Sequence, residues 1–499
     1  MKINIIDNDL LSIQEARILA ENAAEAQEQM AALGQDRLDE IVEGVASAVG
    51  VHARELAIMS AEETDYGRWE DKFIKNRFAC EYLPAHLRGM KCVGIVETDI
   101  ANKIADVGVP MGVLVSLCPA TSPVSTTIYN TLIAIKSGNA IIFSPHPRAV
   151  KTIAKVMDIM IQAAEACGLP QGALAYLQTV TKSGTIELMN HKSTALIMNT
   201  GVPDMLDYAY ESGKPVIYGG TGNGPAFIER TADIKQAVRD IIVSKTFDYG
   251  VASAAEQAVV VDKVIEPQVR AEFNACGAYF MTEEEAERLG RLFYFKDGTL
   301  NPELSGKSAA DLAKWADIPA PAGVRLLIAE QKWVSIENPY SRGKLLPVLA
   351  YYVEDDWMNA CEKCIELLLT ERRAHTLVIH SNDPEVIEQF AIKKPVARML
   401  VNTPAVFGSM GATTNLFPAL TLGSGSAGQG ITSDNVSPRN LTYIRKVGYG
   451  VRSIGDLGIG IPADSVIRGN GVTGGSADLQ MLQKLLEAAL ANINNNKQL

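Results

Sequence analysis

The stretch that decides the fold runs from Val107 to Ala149: "VGVPMGVLVSLCPATSPVSTTIYNTLIAIKSGNAIIFSPHPRA". It opens on an apolar, β-branched run, breaks at "CPATSP", continues as "TTIYNTLIAIKSG" with helical spacing, and returns to a short apolar run, "NAIIFSP". A strand, a helix and a second strand in that order imply a right-handed crossover and a parallel sheet. The same texture repeats downstream. "YLQTV", "TALIMNT", "PVIYGG" and "PAFIE" are further strands. "QAVVV", "GVRLLIA", "LPVLAYYV", "HTLVIHS" and "ARMLVNT" extend the pattern beyond Ser244, with helices such as "RAVKTIAKVMDIMIQAAEACG" between such runs. The expected class is therefore α/β, with ligands beyond the carboxyl ends of the strands. Residues 8 to 90 read differently, as several helices rich in strong helix formers.

With 499 residues the chain exceeds one ordinary core, so two or three domains are expected. A net charge of −12 argues against a nucleic-acid or anionic-membrane surface. No apolar stretch is long enough for a membrane span, and Asp7 and Asp9 come too early for a secretory signal. The seven cysteines are odd in number and fit reduced thiols in the cytoplasm. Cys361 and Cys364 form a C-x-x-C inside "DDWMNACEKCIELLLTE", which reads as a helix. Without a second pair they are two thiols on a helix face, and no metal site is expected.

Four loops sit where strands end: "CPATSPVST", "SPHPRA", "NTGVPD" and "GGTGNGP". "SPHPRA" opens a helix with Pro147 in its first turn and Arg148 beside it, an arrangement that favours an anion. "GGTGNGP" lets backbone approach a ligand closely. "SKTFDYGVASAAEQAVVV" (Ser244 to Val261) is a turn, four small residues and a buried strand, which presents one short side chain, Ser253, at a pocket mouth.

Taken together and in order, "PATSPVSTTIYNTLIAIKSGNAIIFSPHPRA", "SKTFDYGVASAAEQ", "LLPVLAYY", "AHTLVIHS" and "VNTPAVFGSMGATTNLFPALTLGSGSAGQGITSDNV" resemble the CoA-acylating branch of the aldehyde dehydrogenase superfamily. That branch includes the aldehyde dehydrogenase half of bifunctional aldehyde/alcohol dehydrogenases. The resemblance implies a Rossmann-like NAD domain, an α/β catalytic domain and a small oligomerisation flap. It implies the expected division into 1-243, NAD-binding with a flap strand near 105-118; 244-425, catalytic; 426-452, a return to the NAD domain and flap; 453-475, a linker; and 476-499, an amphipathic helix. It also implies a reversible reaction, short aldehyde, CoA and NAD⁺ giving acyl-CoA and NADH, in a homodimer or homotetramer. Acetaldehyde and propionaldehyde are the expected substrates; NAD against NADP is open.

In that family the position of Ser253 carries a nucleophilic cysteine. A serine hydroxyl is protonated at neutral pH and needs a strong base beside it, and its ester acylates a thiol poorly. The expectation is an inactive, engineered Cys-to-Ser variant; a natural pseudoenzyme that binds or assembles comes second, and a working serine nucleophile a distant third. The backbone N–H of Ser253 would help form an oxyanion hole. His375 in "AHT" matches a histidine near the substrate, although a packed core histidine fits equally well. Thr121 and Ser122 match the substrate-side loop. Ser144, Pro145 and His146 match the adenine-ribose side of the cofactor site, and Gly219, Gly220, Thr221, Gly222 and Asn223 the nicotinamide side. Pro347 closes the "KLxP" motif, but Gly343 stands where the family often has a ribose-binding glutamate. No acidic residue lies between Glu211 and Glu229, so the glycine-rich loop has no base to activate water, which favours acyl transfer over release of a carboxylic acid.

The tail carries Leu479, Leu482, Leu486, Ala489, Leu490 and Ile493 as one apolar stripe behind a glycine-rich linker. It resembles the encapsulation peptides of bacterial microcompartment enzymes, which implies shell proteins as partners and a place inside such a compartment. An ordinary helix docked on a neighbouring subunit is the competing reading.

Overall fold

The computed structural model describes residues 7–457. The expected tail helix at 476–499, and the linker from residue 458, lie outside the described residues. Strands β1 (Gly94–Asp99) and β2 (Ile104–Pro110) precede β3 (Val113–Leu117). The apolar run near 105–118 is thus two strands. They part at Gly112, whose φ of +123° suits a residue without a side chain and whose N–H donates to Asn139 Oδ1 at 2.9 Å. β2 joins β1 and β15 (Thr442–Gly448) in a three-stranded sheet, whereas β3 enters a larger one.

That larger sheet contains β3, β4 (Ile141–Ser144), β5 (Leu174–Tyr176), β6 (Thr194–Thr200) and β7 (Val216–Gly219), in the order β5-β4-β3-β6-β7, all parallel. The crossover helix Pro123–Lys136 is buried along its whole length, since sheet lies on one side and the N-terminal helices on the other. Of those helices, Asn8–Met30 is capped by the Asp7 carboxylate and packs through Ala16, Ala20 and Ala23, small residues that let it lie close.

The second sheet takes β8 (Pro225–Ile228), β9 (Ala258–Asp262), β10 (Ala278–Phe280), β11 (Leu326–Glu330), β12 (Val348–Glu354), β13 (Thr376–His380) and β14 (Arg398–Val401). Its order is β10-β11-β12-β9-β8-β13-β14, again parallel throughout. Central strands covered on both faces read as unbroken apolar runs, which is why "AVVV" at 258–261 shows no alternation. Sheet membership changes between β7 and β8, so "PAFIE" and the helix Ile234–Thr246 belong with the second sheet, ahead of residue 244. β5 ends at Tyr176, where the "YLQTV" run begins, and "AYF" at 278–280 adds an edge strand that its short length hid.

These two sheets lie in one compact unit, residues 7–98 with 105–446. A second small unit takes Asp99–Ile104 and residues 447–457; in it Tyr449 N donates to Lys103 O at 3.2 Å. No helix among the described residues is long and apolar enough to cross a membrane.

Candidate functional site

A cavity opens at the carboxyl ends of β3, β6 and β7 and reaches the segment that leads into β9. Thr121, Ser122, Gly219, Thr221 and Ser253 all line it. Ser253 is half-buried there. Its segment is aimed by an unusual turn, Phe247–Gly250, in which Asp248 (φ 50°), Tyr249 (φ 51°) and Gly250 (φ 79°) are all left-handed. Two non-glycine residues in that region are strained, and other contacts must hold them.

Asp248 supplies those contacts. Its N–H donates to Asp71 Oδ2 at 2.7 Å, and its carboxylate accepts from Arg68 N at 2.7 Å, Lys72 Nζ at 3.1 Å and Lys75 Nζ at 2.5 Å. Both lysines continue to the substrate-side loop: Lys72 Nζ donates to Thr121 O at 2.9 Å and Lys75 Nζ to Ser122 Oγ at 2.6 Å. Burial would push the Asp248 carboxyl up, but Lys72 and Lys75 outweigh it and hold it below its ordinary value. Burial pulls the Lys72 ammonium down to about 8, against Asp248. Sequence reasoning missed this cluster. Its signal was "WEDKFIKNR", where Asp71 with Lys72 and Lys75 share a helix, but only the fold brings Asp248 to them. Lys75 is the one charged residue among the described residues lining the cavity.

The glycine-rich loop passes tightly against Ser253. A Cβ on Gly222 would lie 2.0 Å from Ser253 O and 3.3 Å from His375 Cβ. Asn223 is spent on structure: its Nδ2 donates to Ser341 O at 2.8 Å and Leu367 O at 3.0 Å. Thr221 Oγ1 is buried with no well-formed hydrogen bond, a free polar place beside the glycine backbone that suits a ligand such as a nicotinamide dinucleotide. A Cβ on Gly220 would meet the Tyr218 ring at 3.0 Å.

His375 does not line the cavity. It is buried behind Gly222, with Nδ1 2.8 Å from Thr376 Oγ1 and Nε2 without a hydrogen-bond partner, and it makes no hydrogen bond to Ser253. Burial, with the Arg398 guanidinium, holds it well below the usual histidine range, hence neutral. Glu256, three residues beyond Ser253, is also buried; desolvation raises its carboxyl to about 7, while Oε1 accepts from Ala405 N at 3.0 Å.

Ser144, Pro145 and His146 lie apart from the cavity lining, at the end of β4. Ser144 Oγ pairs with Thr185 Oγ1 at 2.8 Å, and His146 Nδ1 accepts from Arg148 N at 3.0 Å. Pro347 stands before β12 and its carbonyl accepts from Leu327 N at 3.1 Å. Beside Gly343 a carboxylate does arrive, from Glu371: Gly343 N donates to Glu371 Oε2 at 2.6 Å, and Arg342 Nε to Oε1 at 3.0 Å.

A profile of the aldehyde dehydrogenase family matches residues 6–284. The bifunctional aldehyde-alcohol dehydrogenase AdhE of Escherichia coli (strain K12) is 37% identical over 435 residues, 86% of this chain and 49% of that protein. The chain thus spans about half the length of the first curated relatives it matches. An acetylating aldehyde dehydrogenase from Geobacillus thermoglucosidasius superimposes with TM-score 0.88 at 42% identity, covering 90% of this chain and 99% of that one. A propionaldehyde dehydrogenase from the Clostridium phytofermentans fucose utilisation bacterial microcompartment does so with TM-score 0.78 at 28% identity, covering 86% and 96%.

Proposed function

Because the chain belongs to the aldehyde dehydrogenase family, we propose that its scaffold serves CoA-acylating oxidation of a short aldehyde, acetaldehyde or propionaldehyde, with NAD. We infer also that Ser253 occupies the place of the nucleophile and leaves this chain inactive. One observation carries the reading: the cavity that Ser253 lines has no carboxylate among its lining residues.

A thiolate at 253 would add to the aldehyde carbonyl, with the Ser253 backbone N–H stabilising the oxyanion. Thr221 and the glycine backbone beside it would hold a nicotinamide dinucleotide, which would supply the hydride acceptor. The acyl group is then held as a thioester. No lining residue activates water against it, so it survives until the CoA thiol displaces it. Thr121 and Ser122 position the aldehyde, braced from behind by Lys72 and Lys75. Glu371 stands in for the carboxylate that Gly343 lacks. His375, neutral and buried, shapes the loop. A serine at 253 has no base in contact, so it neither attacks well nor passes its acyl group on.

The partners we infer are CoA, the aldehyde and further copies of the chain, for which the three-stranded sheet exposes Ile95, Tyr443 and Ile444, the last two on opposite faces. A cytoplasmic location inside a microcompartment, reached through the tail, is supported by the stripe at 479–493 and by the origin of the Clostridium phytofermentans relative.

The test is NADH formation with aldehyde, CoA and NAD⁺. Negligible acyl-CoA is expected as the chain stands, and turnover in Ser253→Cys. If the serine form is already fast, or if cysteine restores nothing, the nucleophile is misassigned.

A further inference from the structure

Away from the cavity, one cysteine sulfur contact differs from the others among the described residues. The Cys118 thiol lies 3.5 Å from Thr127 Oγ1 and 3.8 Å from Ser116 Oγ, and Cys276 Sγ 3.6 Å from Glu272 Oε1. These are ordinary contacts for an atom as large as sulfur. Lys394 Nζ, however, lies 2.5 Å from Cys361 Sγ. That is below even the roughly 2.7–2.9 Å of a charge-assisted bond between nitrogen and the smaller oxygen atom. A hydrogen bond to sulfur does not account for it, and a direct nitrogen–sulfur bond would be far shorter. A single oxygen atom bonded to both fits that spacing.

The surroundings of Lys394 point the same way. The residue is 8% exposed, its Nζ donates to Cys361 O at 2.9 Å, and it sits 4.0 Å from the centre of the Phe390 ring. Its hydrogen-bond partners among the described residues are Cys361 O and Cys361 Sγ, with no carboxylate among them. A buried ammonium without a carboxylate is costly. A nitrogen bonded to oxygen is weakly basic and neutral, so the link removes that charge. Cys364, one turn along the same helix, is held as a thiol by burial, which raises it to about 12.

We propose that Lys394 and Cys361 form a reversible covalent N–O–S bridge, a redox-sensitive modification site. The amine and the thiol lose four electrons and two hydrogens. Dioxygen takes the four electrons; one of its oxygen atoms becomes the bridge, and the other leaves as water with the two hydrogens. Two equivalents of a dithiol return the amine, the thiol and a second water. The bridge ties the helix Trp357–Thr370 to the end of the helix Pro384–Lys393. The first of these supplies Leu367 O to Asn223 and is followed directly by Glu371; the second leads to β14, where Arg398 faces His375. The bridge therefore braces the rear of the glycine-rich loop.

The full chain is purified in air, split into portions with and without dithiothreitol, and weighed intact and after digestion. The air-exposed chain is expected to be heavier by about 14 Da, one oxygen gained and two hydrogens lost. Its Cys361 and Lys394 peptides should be joined, and dithiothreitol should release them. The melting temperature should fall on reduction. Cys361→Ser and Lys394→Arg should abolish the mass gain and the reductant effect, and Cys364→Ser should keep both. Even if a variant fails to fold, the native chain with and without reductant decides. A free, alkylatable Cys361 in the air-exposed chain overturns the proposal. So does a loss of about 2 Da, which reports a disulfide or a direct sulfur–nitrogen bond, or a gain of 14 Da that reductant does not reverse.

Discussion

Replacing Asp248 by Asn keeps the shape of the turn before Ser253 and removes its charge. The amide oxygen can still accept from Arg68 N, which now lies 2.7 Å from the carboxylate. The two ammonium groups, however, lose their only shared carboxylate, with side chains just 3% and 5% exposed for Lys72 and Lys75. Breaking a buried pair in this way costs about 3–5 kcal/mol. An independent ceiling follows from protonation. Lys72, already lowered to about 8, can shed its proton rather than stay charged. Because the parent already holds Lys72 at about 8, keeping it neutral at pH 7 costs the variant at most about 1.4 kcal/mol more, one pH unit's worth. The second figure bounds the share of the loss that falls on Lys72 and fixes its pH dependence; the rest falls on Lys75, which stays buried beside the neutral amide. A lysine with a lowered folded pKa binds fewer protons folded than unfolded, so stability rises with pH between the two values. Asp248→Asn lowers Lys72 further, so the variant gains stability with pH over a wider range than the parent, and its deficit shrinks on going from pH 7 to pH 9. Urea unfolding at both values, on parent and variant, measures this. A deficit below about 1 kcal/mol at pH 7, or one that grows with pH, refutes the assignment of the cluster. Lys72→Met in the Asp248→Asn background should recover part of the loss by removing the unpaired charge.

In Ser253→Cys protein, NADH formation should require CoA and yield thioester; carboxylic acid released at a comparable rate without CoA refutes the missing-base argument. Gly222→Ala places a Cβ 2.0 Å from Ser253 O; in the Ser253→Cys background it should cut kcat/KM by about a hundredfold, because the reacting atom is displaced. Glu371→Gln keeps an acceptor for Gly343 N but loses the charge facing Arg342, and should weaken dinucleotide binding about tenfold in a fluorescence titration; unchanged affinity removes Glu371 from the ribose side. Residues 476–499 fused to a fluorescent protein should co-purify with co-expressed shell proteins, and deleting them should leave the melting temperature unchanged.

The α/β class was legible from residues 107–149 alone, because strands buried on both faces and crossover helices each leave a local periodicity. Ser253 was legible too, since a turn, small residues and a buried strand are contiguous in sequence. So was the absence of a base in the glycine-rich loop. Other features were not local. Asp248 reads as a turn residue until the fold lays it on Lys72 and Lys75, more than 170 positions away. Gly343 reads as a missing carboxylate until the fold brings Glu371, 28 positions on, to its backbone N–H. The histidine of "AHT" reads equally as a substrate-side group and as a packed core residue until the fold buries it, neutral, behind Gly222. Periodicity reports which face of an element is covered, and so the sequence by itself determined the layers of this protein. Which charges meet inside those layers depends on how strands distant in the chain lie side by side. Only the tertiary structure decided that, because burial and pairing energies belong to three-dimensional neighbours rather than to sequence neighbours.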